Sequence, residues 1–94
     1  MLERDVERYL RDEVRKRGGR AAKWVSPGWM GVPDRLIFLP GHPVFATEVK
    51  APGKQPTLIQ ARVHAQLRAL GFTVFVVSSY AEVDAMLSGE LPCH

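Results

Sequence analysis

Cysteine and uninterrupted apolar sequence are both scarce in this 94-residue chain. The only cysteine, Cys93, lies next to the C-terminus, so an internal disulfide is excluded and a reducing compartment is favoured. No apolar run approaches the roughly 20 residues that span a bilayer. The N-terminus begins with charged residues, which argues against a signal sequence. Internal repeats and low-complexity segments are absent as well. These absences predict a protein of the cytosol that is independent of membranes.

The composition is that of a folded domain, with 46% hydrophobic and 24% charged residues. The length predicts a single domain spanning residues 1–94, because a second core would need roughly another hundred residues. So small a core is often marginally stable, and a partner subunit would help it. The net charge of +3 and the pI near 9.4 point weakly to a polyanionic partner.

Apolar spacing predicts two helices and a shorter third one. In residues 2–17, apolar side chains recur about every fourth residue, at Leu2, Val6, Leu10 and Val14. Residues 57–70 show the same spacing, at Ile59, Val63, Leu67 and Leu70. Glycines after each segment supply a helix end. The last helix begins after Ser78 or Ser79 and contains Val83, Met86 and Leu87.

Strands are predicted at residues 21–25, 34–39, 44–50 and 73–77. Four turn-forming residues, Pro40-Gly41-His42-Pro43, separate the second strand from the third and indicate a hairpin. A helix then crosses over to the fourth strand. The resulting α-β-β-β-α-β-α order predicts an α/β fold, with a mixed sheet covered by helices. The predicted core covers about residues 2–87, and residues 88–94 are expected to form a loose tail.

The hairpin predicts that two acids and a lysine converge. With the turn centred near Gly41, Asp34 faces Glu48, and such cross-strand neighbours have Cβ atoms about 5 Å apart. Lys50 projects from the same face as Glu48, about 7 Å further along the strand. Charges in so apolar a pair of strands are costly unless they are paired or bound to metal. The alternative is a surface ion pair between Glu48 and Lys50, with Asp34 capping a turn after Pro33.

Phosphodiester hydrolysis is the chemistry that this arrangement suits. Carboxylate oxygens from Asp34 and Glu48 favour Mg²⁺ or Mn²⁺, and the carbonyl of Val49 offers a further oxygen. Such a metal polarises a phosphoryl group and lowers the pKa of a bound water. Lys50 beside it can orient or deprotonate that water and offset transition-state charge.

The same residues resemble a known nuclease family. The segment Gly31-Val32-Pro33-Asp34-Arg35, the triplet Glu48-Val49-Lys50 and the helix with Gln60 resemble the VRR-NUC (virus-type replication-repair nuclease) branch of the PD-(D/E)xK superfamily. The similarity extends from the first helix to the strand at residues 73–77. It implies a restriction-endonuclease-like core whose elements follow the order derived above.

The resemblance also implies a function. It points to a Mg²⁺- or Mn²⁺-dependent endonuclease that cuts Holliday (four-way) junctions or other branched DNA during repair, recombination or replication. Relatives of this size are similar to homodimeric junction-resolving enzymes, expected in the cytoplasm of a bacterial or phage-infected cell. The rivals are a non-catalytic DNA-binding module with a nuclease fold, and a hydrolase that acts on RNA or nucleotides.

Site residues follow from the resemblance by motif. Asp34 and Glu48 are metal ligands and Lys50 is the catalytic lysine. Glu3 on the first helix completes the site, with Glu7, one turn along, as the alternative. Gln60 is either a catalytic-site residue or only the capping-box partner of a helix start at Thr57. The residues expected to contact DNA phosphates are Lys23, Arg35, Lys54 and Arg62.

Overall fold

The structure, a computed structural model, describes residues 1–91. Its helices are α1 (Glu3–Lys16), α2 (Leu58–Ala69) and α3 (Tyr80–Leu87). Its strands are β1 (Arg20–Lys23), β2 (Arg35–Leu39), β3 (His42–Val49) and β4 (Val74–Val77). The predicted order α-β-β-β-α-β-α is confirmed. None of the helices in this part of the chain is long and apolar enough to cross a membrane.

The four strands form one mixed sheet in the order β1-β2-β3-β4. Strands β1, β2 and β3 pair in antiparallel fashion, and β4 lies parallel to β3. A parallel neighbour requires a crossover, which α2 provides. β1 and β4 are therefore the edge strands, and β2 and β3 are the central pair.

Apolar side chains form a core on each face of the sheet. One core lies between the sheet, α1 and α3, and is built from Val6, Leu10, Val14, Ile37, Phe45, Val49, Val77, Val83 and Met86. The other lies between the sheet and α2, and is built from Ala46, Val63, Leu67 and Val74. Because side chains alternate along a strand, odd-numbered residues of β3 face α1 and even-numbered residues face α2.

Helix α1 buries most of its predicted apolar stripe. Val6, Leu10 and Val14 are completely buried. Leu2 lies outside the helix as its N-cap and is about half exposed, so the prediction was wrong for this residue. Its backbone N–H donates to the Asp5 carboxylate at 2.8 Å, which satisfies one free donor at the helix start.

The hairpin between β2 and β3 is tighter than predicted. Only Pro40 and Gly41 lie between the strands, and His42 already pairs with Leu39. Gly41 has a φ of 69°, which glycine adopts without steric cost. The pairing shifts by one position between Ile37 and Leu39, so β2 contains an irregularity beside the turn.

Beyond that irregularity the predicted register is confirmed. Arg35 pairs with Thr47, and Ile37 pairs with Phe45. The same register, extended by one residue, places Asp34 beside Glu48.

The apolar stripe predicted for α2 was partly wrong. Val63 and Leu67 are buried, but Ile59 and Leu70 are exposed. His64 is buried instead, with 1% of its surface accessible. Residues 63, 64 and 67 lie on one helix face, so the sheet-facing side includes a polar residue that apolar spacing cannot reveal.

Ordered structure continues past α3. The backbone N–H groups of Glu90 and Leu91 both donate to the Ala85 carbonyl, at 2.7 and 3.1 Å. Leu91 also packs against the core beneath α1 and α3. The predicted loose tail at residues 88–94 thus includes an ordered part, and residues 92–94 lie outside the described residues.

The junction of α1 and β1 depends on a close backbone approach at Gly19. A Cβ at this position would lie 2.2 Å from the Phe38 carbonyl oxygen, a contact that only a backbone shift relieves. We expect Gly19→Ala to lower the free energy of unfolding by about 1–3 kcal/mol. Urea denaturation measures this loss.

Gly28→Ala is the matched control for that substitution. A Cβ at Gly28 meets nothing within 4 Å, so its effect should stay within about 0.5 kcal/mol. Equal losses for the two variants would show that glycine flexibility, rather than the close contact, matters at Gly19.

Candidate active site

Two carboxyl groups meet at one end of the central strand pair. Asp34 immediately precedes β2, and its Oδ2 accepts a 2.8 Å hydrogen bond from the Val49 backbone N–H at the end of β3. Pro33 before it is buried, which anchors the chain as it enters the strand. The Asp34 side chain is thereby held beside Glu48 across the ladder.

Glu48 is almost completely buried, with 1% of its surface accessible. It lies on the α2 face of the sheet, and α2 supplies two of its partners. His64 Nε2 lies 3.2 Å from Glu48 Oε1, and Gln60 Nε2 lies 3.5 Å from Oε2. Lys50 Nζ lies 3.8 Å from the same Oε2. Oε1 of Glu48 is therefore directed to His64, and Oε2 lies near both Gln60 and Lys50.

The environment of Asp34 disfavours its charged form. Burial, together with a hydrogen bond to Glu48, raises the pKa of Asp34 from its ordinary value of 3.8 to about 7. The negative charges of Glu48 and Glu3 act in the same direction, whereas the Val49 N–H opposes them. Two acids held together where charge is unfavourable are a common signature of a functional site.

The two candidate acids of α1 lie in different surroundings. Glu3 is exposed, and its charge reaches Asp34 strongly enough to contribute to the raised pKa. Glu7 instead forms a 2.9 Å ion pair with Arg35, whose side chain lies on the α1 face of the sheet. Glu7 is thus engaged by Arg35, and Glu3 as the third acid stays a prediction.

A divalent cation fits the oxygen donors at this site. Within residues 1–91, no three His, Cys, Asp or Glu side chains converge closely enough to form a complete ligand set. Asp34 and Glu48 alone are brought together, and Mg²⁺ is commonly held by one or two carboxylates while keeping waters and substrate oxygens. The raised pKa of Asp34 supports this fit, because a bound cation would favour the ionised pair.

Gln60 caps the start of α2 and also approaches Glu48, and its catalytic role stays a prediction. Its Oε1 accepts a 2.9 Å hydrogen bond from the Thr57 N–H, and the Thr57 hydroxyl accepts one from the Gln60 N–H at 3.2 Å. This capping box begins α2 while the Gln60 Nε2 reaches Glu48. The helix start is therefore tied to the buried acid.

The four predicted DNA-contacting residues differ in exposure. Lys23 is exposed at the end of β1, opposite Arg35 in the ladder. Lys54 is exposed in the loop after β3, and Arg62 is exposed on α2. Arg35 is only 6% exposed and is held by Glu7 and by the Ala21 carbonyl. Its surroundings give it a structural role, and a DNA contact by any of the four stays a prediction.

His64 is the site residue that sequence reasoning missed. It is fully enclosed and contacts Glu48. A signal was present in the sequence, because His64 follows Gln60 by one helical turn and shares its face. Two polar residues at that spacing indicate a polar strip on α2 directed at the site.

The comparisons with known proteins agree with this fold. The chain is 53% identical over 77 residues to “Putative nuclease p44” of Acyrthosiphon pisum secondary endosymbiont phage 1. The aligned region covers 82% of this chain and 83% of that protein. A solved structure described as a “VRR_NUC domain” superposes with a TM-score of 0.86. That match has 29% sequence identity and covers 97% of this chain and 100% of the other. No family model matches the sequence.

The fold and the paired acids define a nuclease of the PD-(D/E)xK class. Within that class the chain belongs to the VRR-NUC family, as the segments around Asp34 and Glu48 indicated.

The raised pKa of Asp34 predicts a pH-dependent cost in stability. Since the folded protein binds this proton more tightly than an unfolded aspartate does, stability falls as the pH rises from about 4 to about 7. Asp34→Asn keeps an acceptor for the Val49 N–H and removes the charge. Both proteins are compared in EDTA. Relative to wild type, we expect the free energy of unfolding of the variant to rise by about 1 kcal/mol between pH 4 and pH 8, a value that includes a reduction for solvent screening.

Urea denaturation of both proteins across this pH range measures the difference. A stability difference that does not change with pH would contradict the assigned pKa.

His64 should stabilise the protein through its contact with Glu48. His64→Leu removes the donor and leaves a buried carboxyl oxygen without that partner, so we expect a loss of about 2–3 kcal/mol. His64→Gln retains a nitrogen donor at a similar reach and should lose less. Chemical denaturation of both variants tests this, and equal losses would show that only packing volume matters at this position.

Proposed function

We propose that this nuclease is a Mg²⁺- or Mn²⁺-dependent DNA endonuclease that hydrolyses phosphodiester bonds. The observation that carries the proposal is the meeting of Asp34, Glu48 and Lys50 at one end of the β2–β3 pair. Two carboxylates provide hard oxygen ligands, and a single amine lies beside them. The name of the similar phage protein states a nuclease activity and specifies no metal or substrate, so both belong to this proposal.

Asp34 and Glu48 hold the cation in this proposal. When bound, the cation polarises the phosphoryl group and lowers the pKa of a coordinated water. The Val49 N–H orients Asp34, and His64 orients Glu48 through Oε1, which leaves Oε2 on the side of Lys50. The exposed Glu3 supplies a third acid from α1, and the Val49 carbonyl is a further candidate ligand.

Lys50 acts on the attacking water and on the charge that develops at phosphorus. Its side chain is mostly buried, and its Nζ is held near Glu48 at 3.8 Å rather than extended into solvent. An ammonium group at this distance orients a water through its hydrogen bonds and offsets negative charge on the pentavalent transition state. Gln60 beside it maintains the position of Glu48 and links α2 to the site.

A branched DNA, in particular a four-way junction, is the proposed substrate, cut in repair, recombination or replication. Resolution requires nicks in two related strands, and a two-fold homodimer presents two sites in that relation. Exposed apolar side chains in the loop between β1 and β2 and at the start of α2 support a subunit contact: Val25, Met30, Leu58 and Ile59. The loop before β2 lies against α2, since Gly31 is in contact range of Ile59.

A non-catalytic DNA-binding module with the same fold is the main alternative. The enclosed Glu48 and the raised pKa of Asp34 favour catalysis over this alternative, because a binding module has no use for acids that its fold must bury. A hydrolase acting on RNA would use the same residues and differs only in substrate.

A gel assay of cleavage tests the proposal. Wild type is incubated with Mg²⁺, Mn²⁺ or EDTA on a four-way junction, on linear duplex of the same sequence and on the equivalent RNA duplex. We expect metal-dependent nicking that favours the junction. Lys50→Ala and Glu48→Gln should each reduce the rate by about a hundredfold or more, since each removes a group that stabilises the transition state.

Lys16→Ala is the matched control, because Lys16 is an exposed lysine that pairs with Glu13 on α1. Its rate should equal that of wild type. Equal cleavage of junction and linear DNA would retain the chemistry and discard the junction preference. Binding without cleavage in any metal would favour the non-catalytic module, and preferential cleavage of RNA would favour the RNA hydrolase.

A further inference from the structure

Helix α1 has a row of arginines that the proposed active site does not use. Arg4, Arg8, Arg11 and Arg15 recur at intervals of four, three and four residues, which places them along one side of the helix. All four are exposed. Like charges at such spacing repel each other and destabilise an isolated helix. Helix stability therefore does not account for this row of arginines.

Arg11 and Arg15 line a cavity between α1 and the edge strand β1. The cavity has a volume of about 480 Å³, and every charged residue that lines it is basic: Arg11, Arg15, Arg20, Lys23 and Arg35. The remaining lining residues are small, namely Gly19, Ala21 and Ala22. Small side chains leave the backbone of β1 open to a ligand, and an edge strand has unpaired N–H donors. We call this cavity the basic groove.

The positive charge of the basic groove is not neutralised by the protein. Among residues 1–91, none of Arg11, Arg15, Arg20 and Lys23 forms an ion pair with an acidic side chain. Other cations of the chain are paired: Lys16 and Arg17 with Glu13, and Arg35 with Glu7. An unpaired basic cluster in a concave surface attracts a polyanion more strongly than scattered charges do.

The basic groove borders a cavity that Asp34 lines. A second cavity of about 290 Å³ shares Lys23 and Arg35 with the basic groove, and Asp34 lines it. Arg35 is fixed at this junction by Glu7 and by the Ala21 carbonyl, and its buried Nε has no acceptor in the described part of the chain. A strand of nucleic acid that reaches Asp34 can therefore continue past Arg35 along α1.

We propose that the basic groove binds the phosphate backbone of one DNA strand beside the cleaved phosphodiester. The inference rests on the proposed DNA endonuclease function and adds a contact surface that lies away from the reacting atoms. Arg11 and Arg15 are one helical turn apart, about 6 Å along the axis, which is close to the rise of two nucleotides at about 3.4 Å each. Contacts of this kind set the position of the strand and do not read its sequence.

The salt dependence of binding tests the basic groove. Fluorescence anisotropy with a labelled 30-base-pair duplex is measured in EDTA on the cleavage-deficient Lys50→Ala background. The test variant carries Arg11→Gln and Arg15→Gln. We expect the slope of log K against log salt to fall by about two, and affinity near 150 mM salt to weaken about tenfold, for duplexes of any sequence.

The matched control carries Lys16→Gln and Arg17→Gln. It removes the same net charge from the C-terminal end of α1. Lys16 and Arg17 pair with Glu13 and do not line the basic groove. Its slope should fall by less than half as much as that of the test variant. In the active background with Mg²⁺, the test variant should show a raised KM and an unchanged kcat, which a folding defect would not produce.

The outcomes separate this inference from the proposed function. Equal slopes for test and control variants, in a protein that cleaves DNA, would overturn the basic groove alone. A reduced slope for the test variant in a protein that cleaves nothing would support the groove and overturn the endonuclease. Failure of the Lys50→Ala protein to bind DNA, or tighter binding to the equivalent RNA duplex, would overturn the groove as proposed.

Discussion

The pairing register of β2 with β3 is the constraint on which the site depends. Arg35 opposite Thr47 places Asp34 beside Glu48, and it assigns Glu48 to the α2 face and Arg35 to the α1 face. A slip of one residue would exchange these faces, bury the wrong side chains and separate the two acids. The buried apolar residues of both cores oppose such a slip. The same packing that stabilises the sheet therefore also keeps Asp34 beside Glu48.

Carboxyl side chains are usually exposed, but that of Glu48 is buried and that of Asp34 is partly buried. Glu48 is enclosed, and Asp34 has its pKa raised to about 7 by burial and by its acidic neighbour. The fold compensates with His64 and Gln60, which approach Glu48 from one face of α2. The raised pKa of Asp34 means that its ionisation lowers stability as the pH rises toward neutrality. The basic groove along α1 carries positive charge that no ion pair within residues 1–91 balances at Arg11, Arg15, Arg20 or Lys23.

Apolar periodicity and turn-forming residues predicted most of the helices and strands. They failed for residues whose burial depends on tertiary packing. The order of helices and strands followed from the period of the apolar residues, and the confirmed register followed from a turn near Gly41. The turn itself was predicted too long, because Pro43 suggested a loop and is tolerated near the strand end. The α2 stripe was wrong at Ile59 and Leu70, since helical spacing does not tell which part of a helix the sheet covers.

The sequence by itself determined the fold class, the family and the closeness of Asp34 to Glu48. These depend on local periodicity, on turn chemistry and on short motifs, which a chain carries wherever it folds. Only the tertiary structure decided that His64 contacts Glu48, that Glu7 is engaged by Arg35, and that unpaired arginines of α1 face an edge strand. Each of these contacts joins elements that are distant along the chain, and their meeting depends on how α1 and α2 pack against opposite faces of one sheet.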